Sequence, residues 1–189
     1  MSRIEALSEA YLKHISAPWV RGLSGAQKVI TLVYDKSEER RLRSKKQLFE
    51  IATNEANHKW AELDLIDAFP HWMAEQEYRE AYFESPDDLS IKMGTNSSEF
   101  TLHVADRLRR VLVDPKFDEQ TVIAVFGVAG LYGFSHVSDV IHHIENDIKG
   151  RLLLFFPGEF DNNNYRLMDA RDGWNYHAVP ITIYNRGLL

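Results

Sequence analysis

The sequence predicts an α/β fold in which helices cover both faces of a mainly parallel, open sheet of about five strands. Three short runs, over residues 29–34, 120–126 and 152–156, are apolar almost throughout and rich in β-branched or aromatic residues, as is typical of strands buried on both faces. Segments with helical apolar spacing separate these runs, so we expect crossover helices between parallel strands. The length of 189 residues and the apolar content of 44% fit a single domain over residues 1–189.

The elements of the first half follow from the spacing of apolar residues. From Ile4 to Ile15 these residues recur every three or four positions, which predicts an N-terminal helix over residues 3–15. Acidic residues early in a segment and an apolar stripe along it are typical of helices as well. The same reasoning predicts a strand over 29–34, a helix over 37–55, a strand over 60–66 and a helix from Pro70 to residue 83.

The second half begins with the least patterned part of the chain. Residues 84–97 are strongly polar, and we expect a mobile loop there. Asn96 and Glu99 are spaced as an N-terminal capping pair for a helix over 98–113. The remaining predicted elements are a strand over 120–126, a helix over 135–148, a strand over 152–156 and a final strand over 176–183.

Composition excludes several classes of protein. The chain has no cysteine, which excludes disulfides, thiolate metal sites and a cysteine nucleophile and fits a cytoplasmic location. Its first residues lack the apolar core of a signal peptide, and no stretch is long and apolar enough to cross a bilayer. The net charge of −6 argues against direct nucleic-acid binding. A basic run over residues 40–46 keeps DNA contact as a minor hypothesis, beside the simpler interpretation of a solvated helix face.

The nearest match to a phosphate-binding loop follows the strand over 120–126. Its candidate residues are Gly127, Gly130, Gly133 and Ser135, which lie between a strand and a helix. The glycines have the spacing GxxGxxG, which is neither the dinucleotide fingerprint nor a P-loop, because no Lys-Ser or Lys-Thr pair follows. The predicted topology is therefore that of a nucleotide hydrolase without an intact P-loop. The alternative is that the glycines only permit a tight turn.

No residue pattern predicts catalysis, a metal site or a cofactor. The histidines show neither an HExxH nor an HxH arrangement, and no GxSxG nucleophile elbow is present. Asp64 and Asp67 lie near a strand end, where carboxylates sometimes hold magnesium, but a water-facing edge strand is the favoured explanation. We therefore expect a protein that is not an enzyme and binds no metal or cofactor.

A polar and aromatic segment near the C-terminus is the best candidate for partner binding. Arginine and aromatic side chains are the residue types that most often anchor protein interfaces. A structural corner, with the arginines paired to the aspartates, is the alternative. The candidate residues are Tyr165, Arg166, Asp169, Arg171, Asp172 and Trp174.

Three segments together resemble the BrxB family of bacteriophage-exclusion (BREX) defence systems. The most specific is GRLLLFFPGEFDNNNYRLMDARDGWNYHAVPI, over residues 150–181. The segment VITLVYDKSEERRLRSKKQLFE, over residues 29–50, is similar to the strand, its YD end and the following arginine-bearing helix of that family. The segment GVAGLYGFSHVSDVIHHIENDIKGRLLLFFPG, over residues 127–158, is similar to its third strand, helix and fourth strand. The likeness covers nearly the whole chain except residues 70–100.

The resemblance implies an intracellular bacterial protein that is encoded among phage-defence genes. Its expected role is that of a non-catalytic accessory protein in host DNA methylation and phage exclusion. The partners implied are a PglZ-like protein of the alkaline-phosphatase superfamily, a BrxC-like ATPase and a PglX-like methyltransferase. The family carries no established catalytic residues, so the resemblance assigns none here. The alternative is a degenerate nucleotide- or phosphate-binding domain that acts as a regulatory sensor.

Overall fold

A mainly parallel sheet with helices on both faces forms the centre of the protein, which confirms the predicted fold class. The computed structural model describes residues 2–93, 98–170, 173 and 176–183, with the side chains of 90–92 excepted. The helices are α1 (Arg3–Ile15), α2 (Glu39–Ser44), α3 (Gln47–Glu55), α4 (Ala68–Ala74), α5 (Arg79–Glu84), α6 (Pro86–Met93), α7 (Glu99–Leu112) and α8 (Val137–Ile144). The strands are β1 (Val29–Tyr34), β2 (Lys59–Asp64), β3 (Thr121–Phe126), β4 (Arg151–Asp161), β5 (Asn164–Leu167) and β6 (Val179–Thr182).

The strand order is β2-β3-β4-β1-β6, and every neighbouring pair along this path is parallel. β1 lies between β4 and β6, with Leu32 opposite both Phe155 and Ile181. All six residues of β1 and of β3 are buried, as their almost wholly apolar sequences predict. Strand β5 stands outside this path and pairs antiparallel with the end of β4.

Helices on opposite faces build two separate cores against this sheet. On one face α1, α2 and α3 bury Tyr11, Leu42 and Phe49 against alternate residues of β1, β3 and β4. On the other face α4, α7 and α8 bury residues such as Trp72 and Phe100. The connection from β1 to β2 crosses the first face, whereas those from β2 to β3 and from β3 to β4 cross the second. The crossovers therefore change direction between β1 and β4, where ligands of open α/β sheets usually bind.

Strand β4 is longer than the predicted strand over 152–156, because Pro157 and Gly158 do not end it. Pro157 lies opposite Tyr34, the last residue of β1. The ladder between β4 and β1 ends at this pair, so the N–H that proline lacks interrupts no later hydrogen bond between the two strands. A Cβ on Gly158 would lie 2.0 Å from the Arg166 carbonyl oxygen, so glycine permits the close approach of β5. The predicted break is therefore wrong, and the chain continues into a β4–β5 hairpin that was not predicted.

Several predicted helices are divided or displaced. The helix predicted over 37–55 is a 3₁₀ turn followed by α2 and α3, and the helix predicted from Pro70 is α4 followed by α5. Residues 86–93 of the predicted mobile loop 84–97 form α6, with Pro86 at its first position and Asp87 and Asp88 in its first turn, where acidic residues favour a helix. Residues 94–97 lie outside the described residues.

The start of α7 corrects the predicted cap. The N-cap is Ser98, whose hydroxyl accepts a hydrogen bond from the Thr101 amide at 3.1 Å. Serine serves this function as well as asparagine does, and it lies two residues closer to the helix than Asn96. The predicted capping pair of Asn96 and Glu99 is therefore wrong, although the predicted helix is confirmed nearly to the residue.

Candidate functional site

The functional candidates of the sequence lie at one edge of the sheet, where β1, β2 and β3 end. We call this the carboxyl edge, and we include in it the β4–β5 hairpin, which extends past the end of β1. The turn after β3 begins at Gly127, the segment after β1 begins at Asp35, and β2 ends at Asp64. The strand order thus brings together residues that are far apart in the sequence.

Gly127 is packed closely against the end of β2. Its backbone is left-handed, with φ of 70°. A Cβ at this position would lie 2.2 Å from Asp64 Oδ1 and 2.4 Å from the Ile66 amide nitrogen. Gly130 also faces β2, since its Cβ would lie 3.0 Å from the Leu65 carbonyl oxygen. The glycines therefore permit close packing, and a carboxylate lies where a bound phosphate would be repelled.

Hydrogen bonds within the turn occupy much of its backbone. The amide of Gly130 donates to the Gly127 carbonyl at 2.9 Å, and the amides of Phe134 and Ser135 both donate to the Leu131 carbonyl at 3.0 Å. The Ser135 hydroxyl shares a hydrogen bond of 2.7 Å with the Thr101 hydroxyl. A phosphate cradle needs free amides that point at the ligand. Phosphate binding at Gly127, Gly130, Gly133 and Ser135 stays a prediction, and it gains little from this geometry.

An ion-pair network that the sequence did not reveal connects β1, α2 and β2. Arg43 donates to Glu39 at 2.7 Å and to Asp64 at 2.5 Å and 3.3 Å. The Tyr34 hydroxyl donates to the same Glu39 carboxylate. Asp64 also accepts from the Ile66 amide at 3.0 Å, which fixes its orientation beside Gly127. The network therefore links the end of β1 to the end of β2 through α2, although β3 and β4 lie between these strands in the sheet.

The network shifts the pKa values of its members. Burial and the neighbouring Glu39 carboxylate raise the pKa of Tyr34 well above its ordinary value. Partial burial would raise the pKa of Asp64, but hydrogen bonds from Arg43 and from the Ile66 amide outweigh it and hold that pKa below its ordinary value. Hydrogen bonds to Asp64 and Glu39 raise the pKa of Arg43 further. At neutral pH Asp64 is therefore ionised, Arg43 is a guanidinium and Tyr34 is a neutral phenol.

The basic run over residues 40–46 is largely engaged in ion pairs. Arg41 pairs with Glu38, Arg43 with Glu39 and Asp64, Lys45 with Glu5, and Lys46 with Glu62. Arg40 is exposed. Each carboxylate partner lowers the positive potential that a phosphate backbone would meet. The pairing favours the interpretation of this run as a helix face that is balanced by acidic neighbours.

The β4–β5 hairpin separates the predicted partner-binding residues between its two faces. Tyr165 is fully buried, its hydroxyl donates to the Ala178 carbonyl at 3.1 Å, and its ring lies 4.6 Å from that of Phe160. Burial raises its pKa to about 12. Arg166 is exposed and lies opposite Glu159 in the antiparallel register. Tyr165 is thus a core residue of the hairpin, whereas Arg166 is available at its surface.

Asp169 ties the end of the hairpin to the segment after β1. It is largely exposed and forms an ion pair with Lys36. Lys36 follows β1, and Asp169 follows β5, which pairs with β4. The ion pair therefore links the segments that follow the strands between which the crossovers change direction. The other predicted partner-binding residues, Arg171, Asp172 and Trp174, lie outside the described residues.

Neither a metal site nor a membrane span appears in the described part of the chain. No group of three or more histidine and acidic side chains within residues 2–93, 98–170, 173 and 176–183 is arranged to hold a metal ion. Within the same residues, no helix combines the length and the apolar character that a bilayer crossing requires. Comparisons with protein-family models, with curated proteins and with solved structures find no match to this chain.

Proposed function

We propose that this protein is a non-catalytic accessory protein of a BREX anti-phage system and binds its PglZ-like component. The proposal rests on the resemblance of residues 150–181, 29–50 and 127–158 to the BrxB family. The first of these segments includes β4 and β5, and the hairpin that joins these two strands belongs to the carboxyl edge. Binding of a BrxC-like ATPase or a PglX-like methyltransferase belongs to the same proposal.

The observation that best supports a binding role is that charged side chains at the carboxyl edge form ion pairs with one another. Arg43 holds Glu39 and Asp64, and Lys36 holds Asp169 across the end of β1. A catalytic acid or base needs a pKa matched to its task and a place for substrate beside it. A carboxylate whose pKa is lowered by a bound guanidinium is a poor general acid or base at neutral pH.

A gene-replacement experiment tests the proposed role in the cell. In a bacterium whose copy of this gene lies beside methyltransferase, ATPase and phosphatase-like genes, deletion is expected to abolish both host DNA methylation and phage exclusion. The intact gene supplied in trans is expected to restore both. Flanking genes without these three classes, or a deletion strain that methylates and excludes phage normally, would contradict the proposal.

The second candidate function is a degenerate nucleotide- or phosphate-binding domain that acts as a regulatory sensor. The observation in its favour is the left-handed Gly127 turn at the carboxyl edge of a parallel sheet. Isothermal titration of the purified protein with ATP, GTP and a dinucleotide tests it. Heat that saturates with one of them, and that is lost in Ser135→Ala, would support the sensor; no heat with any of them removes it.

A further inference from the structure

An apolar groove lies between α4 and α5, on the side of the protein that carries α7. The cavity has a volume of about 420 Å³ and is lined by Phe69, Pro70, Met73, Ala74, Arg79 and Phe83. Arg79 is the one charged residue among them, and its guanidinium donates to the Ala74 carbonyl at 3.0 Å. The other five lining residues are apolar, and the groove is open at the surface.

The wall formed by α5 exposes large aromatic side chains. Phe83 is 66% exposed and Tyr78 is 63% exposed, and α5 contains no buried residue. Exposed apolar groups that adjoin a cavity mark a surface that a partner covers. The floor, in contrast, is well ordered by packing, because Phe69 stacks on Phe134 with ring centroids 4.1 Å apart and meets the buried Phe100 edge to face. The floor of the groove is thus fixed by aromatic packing, whereas Phe83 in the α5 wall is largely exposed.

The segment that carries α5, one wall of this groove, is strongly acidic, and we call it the acidic rim. Residues 75–88 contain six acidic residues and one basic residue, a net charge of −5, whereas the whole chain has −6. The acidic residues of this segment are exposed. The one arginine also lies 3.6 Å from a carboxylate, that of Glu80. Most of the surplus negative charge of the protein therefore lies in the segment that contains the α5 wall of the groove.

We propose that this groove binds a basic amphipathic helix of a partner protein. Apolar side chains at helical spacing would enter the cavity between Phe69 and Phe83, while lysine or arginine side chains would face the acidic rim. A second copy of this chain fits less well, because two acidic rims would repel each other in a symmetric dimer. The inference goes beyond the proposed function, since it holds for any partner that presents such a helix.

A model peptide with the proposed apolar and basic faces tests the groove directly. The probe is a fluorescein-labelled amphipathic helix of leucine and lysine about five turns long, and its control is the same pattern of leucine and glutamate. Fluorescence anisotropy with the full chain is expected to show binding of the lysine peptide only. The affinity should fall steeply towards about 1 M salt, where the screening length is about 3 Å.

Variants locate the binding to the groove. Phe83→Ala removes an exposed wall residue, so it should leave the melting temperature unchanged and weaken the lysine peptide about tenfold or more, as loss of an aromatic anchor does. Val20→Ala is the matched control, since Val20 is equally exposed at 65% and lies in a distant loop, and it should change nothing. The double variant Glu80→Gln, Glu84→Gln should flatten the salt dependence of binding.

Three results would overturn the inference. The first is equal affinity of Phe83→Ala and the unaltered protein for the lysine peptide. The second is binding of the glutamate peptide as tightly as the lysine peptide. The third is self-association of the protein that Phe83→Ala abolishes, which would identify a second copy as the occupant. The peptide experiment contains no defence protein. Its failure and the failure of the proposed function are therefore separate outcomes.

Discussion

Gly127 and Gly133 share a left-handed backbone but differ in their surroundings. Their φ angles are 70° and 77°. A Cβ on Gly127 would meet Asp64 and the Ile66 backbone at less than 2.5 Å, whereas a Cβ on Gly133 would meet nothing within 4 Å. One glycine is therefore required by packing and by conformation, and the other by conformation alone.

Alanine substitution should separate these two causes. Gly133→Ala should lower the free energy of unfolding by about 1 kcal/mol, the cost of a left-handed L-residue. Gly127→Ala should lower it by about 3 kcal/mol or more, because backbone atoms must also move. Urea unfolding followed by circular dichroism measures both. Equal losses would mean that the contact with β2 does not constrain the turn.

Arg43 is the residue on which the ion-pair network depends. Arg43→Ala leaves Glu39 and Asp64 without their cation, and because the side chain is only 32% exposed we expect a loss of about 2 kcal/mol in the free energy of unfolding. The control is Arg41→Ala: the Arg41 side chain is 57% exposed, and loss of its pair with Glu38 should cost about 0.5 kcal/mol or less. Similar losses in both variants, measured by urea unfolding, would contradict a structural role for the network.

The lowered pKa of Asp64 predicts a dependence of stability on pH. The unfolded chain regains the ordinary pKa of 3.8, and the folded pKa lies below it. The stabilisation is therefore complete above the unfolded pKa and is lost as the pH falls through the folded pKa. In Asp64→Asn the free energy of unfolding should fall less steeply below about pH 4 than in the unaltered protein. Parallel curves would show that Asp64 is not preferentially ionised in the folded state.

At the scale of elements, burial on both faces decided what the sequence could predict. β1 and β3 are apolar except for one threonine each, so their sequences predict them nearly to the residue. The β4–β5 hairpin was missed because its pattern differs: β5 alternates between exposed and buried residues over only four positions. The available signal was the tip, where Asn162 and Asn163 have φ of 49° and 62°, as a two-residue turn with positive φ requires.

This tip predicts opposite effects of two substitutions. Asn163→Gly should raise the free energy of unfolding by about 0.5 kcal/mol, since glycine is favoured at the second position of such a turn. Asn163→Ala should lower it by about 1 kcal/mol, because alanine tolerates positive φ poorly. Thermal melts of both variants check the signs. Destabilisation by glycine would contradict the turn geometry.

The candidate site could be predicted only in part. The glycine turn and Asp64 were placed correctly at strand ends, because parallel topology fixes which ends share an edge. The inward direction of Tyr165 and the outward direction of Arg166 follow from strand alternation, which could not be applied while β5 was unknown. The pairing of Arg43 with Asp64 is long-range and leaves no local pattern in the sequence.

At the scale of the whole molecule, two surfaces of the described residues are candidates for partner binding. One is the outer face of the hairpin, which presents Arg166 beside Glu159. The other is the groove between α4 and α5, which sequence patterns did not reveal because a single helix was predicted where α4 and α5 are separate. Ion pairs engage Lys36, Arg43 and Asp64 near the strand ends. We therefore expect a partner to contact the hairpin face or the groove.

Association with the PglZ-like protein is the central claim, and size-exclusion chromatography with light scattering tests it most directly. An equimolar mixture of the purified chain and the PglZ-like protein encoded beside it should elute as one species with the summed mass of the two. If the hairpin is the contact, Arg166→Glu should weaken that complex. If the groove is the contact, Phe83→Ala should weaken it instead. Val20→Ala, the control, should leave it intact. Separate elution of this chain from the PglZ-like protein, and likewise from the BrxC-like and PglX-like proteins, would contradict the claim.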